Sequence, residues 1–530
     1  MVGDILMTDD IKRQVEERVK AEEEAVKKEP AGDVKLTSKF IRECLYANEY
    51  GDGSIYSEIH QGQFLFNKTA CEWLSWTGHH WQRDIMDDSL AAVEAVSKVY
   101  IDEAVCIAAE IGDMAGDKNK EKEAGALMKT QELIYKRVCR LRTERGRVNC
   151  LKFAHTNPVN HLSIEGEEFD QLPWLLACVN GVVDLKTGKL SAGRPGDLIS
   201  KASPTDWKGI DEPAPEWEQF LIQIFKGNEE IVEYMGRLFG YCITGLTREH
   251  ILPILWGKGR NGKGTMIEII KYVLGPLAAP IRSEMLLDQG RTSSSSGPTS
   301  DIMSLRGLRI AFASESDEGR RFSPSKVKWL SGGDTLVGRA PHDKYETYFS
   351  PTHKLILMTN ELPHAPSYDF AFWERVHLIP FELSFVDRKP QSDDELPADK
   401  ELPERLQKEA PGILAWLVRG CLAWQDRGLD PPSIITEATA EFRRDEDILA
   451  DFIDECCFLK KWEETKAADL YAAFKAWYEE HVYKNAPSQK KFGKMMVKKF
   501  KREKKGTYIY YGVGLNDQIL GRSENEGEPY

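Results

Sequence analysis

Residues 257 to 265 read Gly257, Lys258, Gly259, Arg260, Asn261, Gly262, Lys263, Gly264, Thr265. The spacing fits G-x-x-x-x-G-K, and each residue type has a task. Glycines let the backbone curl so that consecutive N–H groups face the β- and γ-phosphates of a nucleotide, Lys263 adds a point charge, and a following helix lends its positive end. The chemistry specified is capture of ATP by its phosphates. In this motif the residue after the lysine is a Ser or Thr whose hydroxyl holds Mg²⁺. Here it is Gly264, which leaves Thr265 to take the metal directly or through water.

Hydrolysis needs more than a cradle. In "LRIAFASESDEGRRF" (308 to 322) an apolar run leads straight into Glu315 and Asp317. Glu315, nearest the strand, is the candidate to hold Mg²⁺ and polarise water, with Asp317 as partner. "HKLILMTNELP" (353 to 363) ends an apolar run in Thr359-Asn360, where a neutral amide can sense the γ-phosphate and orient water. "FWERVHLIPF" (372 to 381) puts Arg375 at the edge of a further strand. A forked guanidinium there suits developing phosphoryl charge.

These residues need a sheet to carry them. "ILPILW" (251 to 256) is uninterruptedly apolar, as a buried parallel strand requires, and "MIEIIKYVL" (266 to 274) supplies the helix after the loop. Upstream, "EWEQFLIQIF" and "IVEYMGRLFGYCITG" have apolar positions at helical spacing. Turn signals at Asn180-Gly181 and Thr187-Gly188 predict a short β-meander. "GILAWLVRGCLAWQ" reads as a buried helix beyond a Pro-rich acidic connector.

The expected organisation along the 530 residues is a charged tail (1–38), a mixed α/β region (39–150) with hairpins to about 90 and helix thereafter, and a meander with a helical collar (151–245). A nucleotide-binding domain (246–388), a connector with a buried helix (389–435), a basic module (436–520) and an acidic tail (521–530) complete it. The chain is 41% hydrophobic and 29% charged, ordinary for a soluble protein. No apolar run reaches the roughly 18 residues that span a bilayer, and the first residues lack signal-peptide order. A cytoplasmic location, bacterial or within a viral host, is expected, with no membrane partner. The ten cysteines form no C-x-x-C pair, so reduced thiols without structural zinc are expected.

The net charge of −14 speaks against polyanions, but placement outweighs the total. Between Lys484 and Lys505 ten Lys/Arg stand against one acid, Glu503. Phe492, Met495, Met496 and Phe500 fall at helical spacing, with Lys491, Lys494 and Lys498 on another face. "GTYIYYGVGL" then alternates like a wing. With helices at about 441–459 and 466–482, the pattern reads as a winged-helix-like module whose lysines meet DNA phosphates.

The succession of cradle, acidic strand, "GGDTLVGRAPHDKYETYF", strand ending in Asn360 and "FWERVHLIPF" resembles the superfamily 3 helicases. It is most similar to the branch of phage and plasmid primase-helicases and the poxvirus replication helicase. The likeness begins with "LPWLLACVNGVVDLKTGKL" (172 to 190) and runs to about 425. It implies an α/β, AAA-like P-loop ATPase domain with a parallel sheet, assembled as a homo-oligomer, a hexameric ring. ATP with Mg²⁺ would sit between subunits, and the ring would move 3′ to 5′ on single-stranded DNA of forked substrates. The resemblance assigns Lys263 to the cradle, Glu315 to the acidic strand end, Asn360 to sensing and Arg375 to the neighbour's site. A hairpin between the second and third motifs would carry Arg339, His342 and Lys344 into the pore. Many relatives have an N-terminal primase domain, but the first 150 residues contain no D-x-D pair, so a separate primase or initiator is an expected partner. The other reading is an ATP-binding initiator or loader that binds origin DNA without processive unwinding.

Overall fold

Each apolar run that leads into a motif is a buried parallel strand. The computed structural model describes residues 9–19, 36–159, 162–288, 299–315, 320–339, 346–367, 369–446, 448–481 and 486–516. Within it β1 spans Leu252–Trp256, β2 Ala278–Ile281, β3 Ile310–Glu315, β4 Lys354–Thr359 and β5 Val376–Pro380. All run parallel in the order β2-β3-β4-β1-β5. Both sheet faces are covered, which is why these segments show no polar alternation. Leu255, Ile310, Phe312, Ile356 and Ile379 enter one core, and Ile254, Ala311, Ala313, Leu355 and Leu357 enter the other.

The first core also takes in helices Pro215–Ile224, Glu229–Cys242, Lys263–Leu274 and Ala410–Arg427, together with Leu176, Val183 and Leu185 of the meander. Segments on either side of the boundaries expected at 245 and 388 therefore share one interior. Its tightest point is the crossing of helices Glu229–Cys242 and Ala410–Arg427. A Cβ on Gly240 would lie 2.1 Å from the Cys421 nitrogen, and one on Gly420 would lie 1.9 Å from the Gly236 oxygen. Only glycine lets the two backbones touch.

The meander is present. Leu175–Cys178, Gly181–Asp184 and Lys189–Ser191 pair antiparallel, and Ala202–Ser203 adds in parallel to the first. The N-terminal region is more helical than its sequence suggested. Ser38–Tyr46 and Glu49–Ile59 precede the hairpin strands Phe64–Asn67, Glu72–Trp76 and Trp81–Arg83, and Glu94–Asp113, Glu121–Leu141 and Glu144–Ala154 follow. Part of the segment read as a charged tail is a docked helix: residues 9–19 are helical, with Ile11 and Val15 buried in the N-terminal core. Their i, i+4 spacing places both on one face despite the surrounding charge.

The C-terminal boundary falls later than the sequence suggested. Helix Ser433–Asp445 packs on the sheet, burying Phe442 and accepting the Leu378 amide on Thr439 Oγ1 at 3.0 Å. Beyond it, helices Ile448–Cys456, Ala467–His481 and Gln489–Lys499 surround their own core. Strands Glu464–Lys466, Thr507–Tyr511 and Arg502–Lys505 form an antiparallel sheet with the second in the middle. Phe492 and Met496 are buried there, as their spacing predicted, and Met495 and Phe500 pack against them. Among the described residues no helix is long and apolar enough to cross a membrane.

Candidate nucleotide site and nucleic-acid interface

The register of the sheet fixes the site. Glu315 stands opposite Thr359, and Thr359 opposite Trp256, so the residues leaving β1, β3 and β4 emerge along a single edge. The loop after β1 is tied down from the segment that follows β5. Asn261 Nδ2 donates to the Phe381 oxygen at 3.3 Å, and the Phe385 amide donates to the Arg260 oxygen at 2.6 Å. A Cβ on Gly257 would come within 2.2 Å of that same Phe381 oxygen, so close approach demands glycine there. Gly262 has φ 86° and faces Ile224, so it is held to glycine by both conformation and space. Gly264 meets nothing within 4 Å.

Lys263 opens the helix Lys263–Leu274 and is only 6% exposed. Its ammonium donates to the Gly257 oxygen at 2.5 Å, the Thr359 oxygen at 3.2 Å and Asn360 Oδ1 at 3.3 Å. All three acceptors are neutral, so burial goes uncompensated and pushes the ammonium down to about 8. A buried cation facing carbonyl oxygens, at a helix N-terminus beside an open glycine loop, fits a polyphosphate. Thr265 lies two residues on and is half-buried.

Glu315 ends β3 on the same edge, while Asp317 lies outside the described residues. Arg375 is not in this group. It immediately precedes β5, whose Val376 pairs with Leu252 at the start of β1, and its carbonyl accepts the Leu252 amide at 2.6 Å. Four residues of strand separate that edge from the loop, about 13 Å. Its Nη1 donates to the Ala371 oxygen at 2.5 Å and its Nε is buried without a hydrogen-bond partner among the described residues. The chain's own cradle is thus built without this guanidinium.

Strands Leu336–Gly338 and Thr347–Phe349 pair antiparallel, as expected of a hairpin between the second and third motifs. Arg339 follows the first, with its amide on Thr299 Oγ1 at 2.8 Å. His342 and Lys344 lie outside the described residues. On the C-terminal helix, Lys491 and Lys494 line different concavities. Lys491 faces a crevice of about 370 Å³ shared with Arg321, His364 and Glu446, whereas Lys494 faces a groove beside the strands 502–511. Lys498 sits on the same helix.

That crevice joins the segments that follow β3 and β4 to the C-terminal helices, a link that no sequence motif announced. Glu446 accepts His364 Nδ1 at 3.0 Å and the Ala365 amide at 3.0 Å, and Arg321 donates to the Tyr478 hydroxyl at 3.0 Å. The Glu446 hydrogen bond raises the pKa of His364.

Residues 53–226 match the family described as D5 N terminal like, and residues 444–516 match the Poxvirus D5 protein-like family. The likeness therefore reaches beyond the 172–425 span that carried it in the sequence. "Putative helicase L207/L206" of Acanthamoeba polyphaga mimivirus is 30% identical over 61% of this chain and 34% of its own length. "Putative helicase 121R" of Invertebrate iridescent virus 3 is 26% identical over 58% and 35% respectively. The chain spans little more than a third of these relatives. The apo C-terminal region of NrS-1 aligns with 64% of this chain and 72% of its own at TM-score 0.39 and 14% identity.

Proposed function

We propose that this chain, similar on both flanks of its nucleotide-binding core to D5-type viral proteins, is an ATP-dependent replicative DNA helicase of the superfamily 3 kind working as a ring. The observation that carries this is the buried, uncompensated Lys263 ammonium, cradled by the ends of β1 and β4 with Glu315 in register beside them. Bound ATP brings phosphate charge to that ammonium and to the amides of Gly257 to Thr265. Thr265 and Glu315 would hold Mg²⁺, which would neutralise charge at the phosphates. Asn360, now spent on Lys263, orients the attacking water, and Glu315 draws the proton from it.

Arg375 serves the site of the adjacent copy. Its place on the opposite sheet edge from its own cradle supports this reading, because a group about 13 Å away cannot reach its own γ-phosphate. Hydrolysis then moves the hairpin 336–349, whose Arg339, His342 and Lys344 grip the DNA backbone. The C-terminal helices and sheet, read as a winged helix, add phosphate contacts through Lys491, Lys494 and Lys498. Strand displacement from a forked duplex tests the reading. ATP-dependent release of the labelled strand is expected, and nucleotide-dependent retention of duplex without release would favour an origin-binding initiator instead.

A further inference from the structure

The hairpin Arg502–Lys505 and Thr507–Tyr511 has two unlike faces. On one, charges cancel: Lys501 pairs with Glu503 at 2.9 Å and Lys505 with Glu464 at 3.2 Å. On the other, Arg502 stands opposite Tyr510 and Lys504 opposite Tyr508, and neither cation pairs with a carboxylate among the described residues. Instead they lie over rings, Arg502 at 4.3 Å from the Tyr508 centroid and Lys504 at 6.0 Å. Tyr510 is buried, its hydroxyl donating to the Gly493 oxygen at 3.2 Å, so this face is turned toward the helix Gln489–Lys499. Gly493 leaves room for the Arg502 guanidinium, which a Cβ would approach to 3.3 Å.

Between helix and hairpin lies a groove of about 740 Å³, lined by Lys490, Lys494 and Arg502, with no carboxylate among the described residues. Tyr508 and Val497 line it while each 47% exposed. A half-exposed aromatic ring, one face under Arg502 and the other side left to solvent, among cations without a carboxylate partner in the described residues, offers what an unpaired nucleotide requires: a surface for the base and charge for its phosphate. A duplex hides its base faces, so the lysines alone would suffice for it.

We infer that this groove binds single-stranded DNA, stacking one unpaired base on Tyr508 and holding the adjoining phosphate with Lys494 and Arg502. The inference rests on the DNA-binding reading of the C-terminal helix and names the form of DNA this part takes. At a fork it places the module against the separated strand rather than the duplex ahead.

The test uses the full chain without nucleotide and a short oligodeoxynucleotide carrying 2-aminopurine. Binding quenches the probe in the wild-type chain. Tyr508→Leu loses the quench and about tenfold in affinity for single strand, while Tyr508→Phe keeps both. A matched strand with an abasic site binds both Tyr508 variants alike, and blunt duplex affinity moves less than about twofold. Unchanged quenching in Tyr508→Leu, an equal loss on duplex, or tighter binding of the matching RNA overturns the inference. Where Tyr508→Leu does not fold, 5-iodouracil crosslinking to the wild-type chain decides: attachment within 502–511 supports the groove, and attachment solely elsewhere removes it. ATP turnover does not enter these measurements. Failure here therefore leaves the motor standing, and failure of strand displacement with quenching intact removes the motor but not the groove.

Discussion

Lys263 is a buried cation without a counter-charge among the acceptors it meets. Its three acceptors are neutral and its pKa is pushed down to about 8, so bound phosphate should favour the charged form and binding should take up a proton. ATP affinity is therefore expected to fall as pH climbs past about 8, with proton uptake visible by calorimetry in two buffers of different ionisation heat. The apo fold should respond the other way. Above about 8 the unfolded chain holds a proton that the folded chain releases, so this residue makes stability rise with pH there. Lys263→Ala should cut turnover at least about 10²-fold while leaving DNA affinity within about twofold, measured by phosphate release and anisotropy. Gly264 behaves differently from its neighbours: with open space around its missing Cβ, Gly264→Ala should stabilise the helix start by about 0.5–1 kcal/mol in thermal unfolding. Lys263, Asn360 and Glu315 were legible because each ends a strand or opens a helix that announces itself by unbroken apolarity. The anchors of the loop, Phe381 and Phe385, were not, since their backbone bonds to Asn261 and Arg260 depend on the path of the chain after β5 and on no side-chain type.

At the scale of elements, two contacts deserve measurement. The helices Glu229–Cys242 and Ala410–Arg427 touch backbone to backbone at Gly236, Gly240 and Gly420. Gly240→Ala should force them apart and cost about 1–3 kcal/mol or more in denaturant unfolding. The sequence showed both helices but not that they cross, because glycine in a helix signals equally a weak spot and a close approach. The other contact is Glu446, which holds His364 and the Ala365 amide at 3.0 Å each. Glu446→Ala should cost about 1–3 kcal/mol by leaving that amide short of an acceptor, seen as faster hydrogen exchange at Ala365. The raised pKa of His364 means its share of this contact is full below the ordinary histidine value and fades as pH rises through the raised one. The join between core and C-terminal module should thus loosen as pH rises above the ordinary histidine value and through the raised one. The docked helix 9–19 was hidden for a compositional reason: two buried residues among many charges give a weak apolar stripe, and only the partner surface reveals it.

At the scale of the whole molecule, the placement of Arg375 makes a direct test available. Lys263→Ala and Arg375→Ala should each be inactive alone, yet mixing them should restore part of the ATP turnover, since some interfaces would then combine an intact cradle with an intact guanidinium. A mixture as silent as its components would show that each copy completes its own site. The individual strands of the sheet and the C-terminal helices followed from local patterns, whereas the order of the strands and the merging of meander, collar and buried helix into one core did not, because these join segments far apart in the chain. β5 has a place in both halves of this arrangement. Arg375 precedes its first residue, and Phe381, which carries the anchor of the nucleotide loop, follows its last. Five residues of hydrogen-bonded strand behave as a tie rod, too stiff to absorb a pull along their length. In the proposed ring, a displacement of Arg375 by a neighbour's phosphate would be carried along these five residues to the loop that binds the chain's own nucleotide.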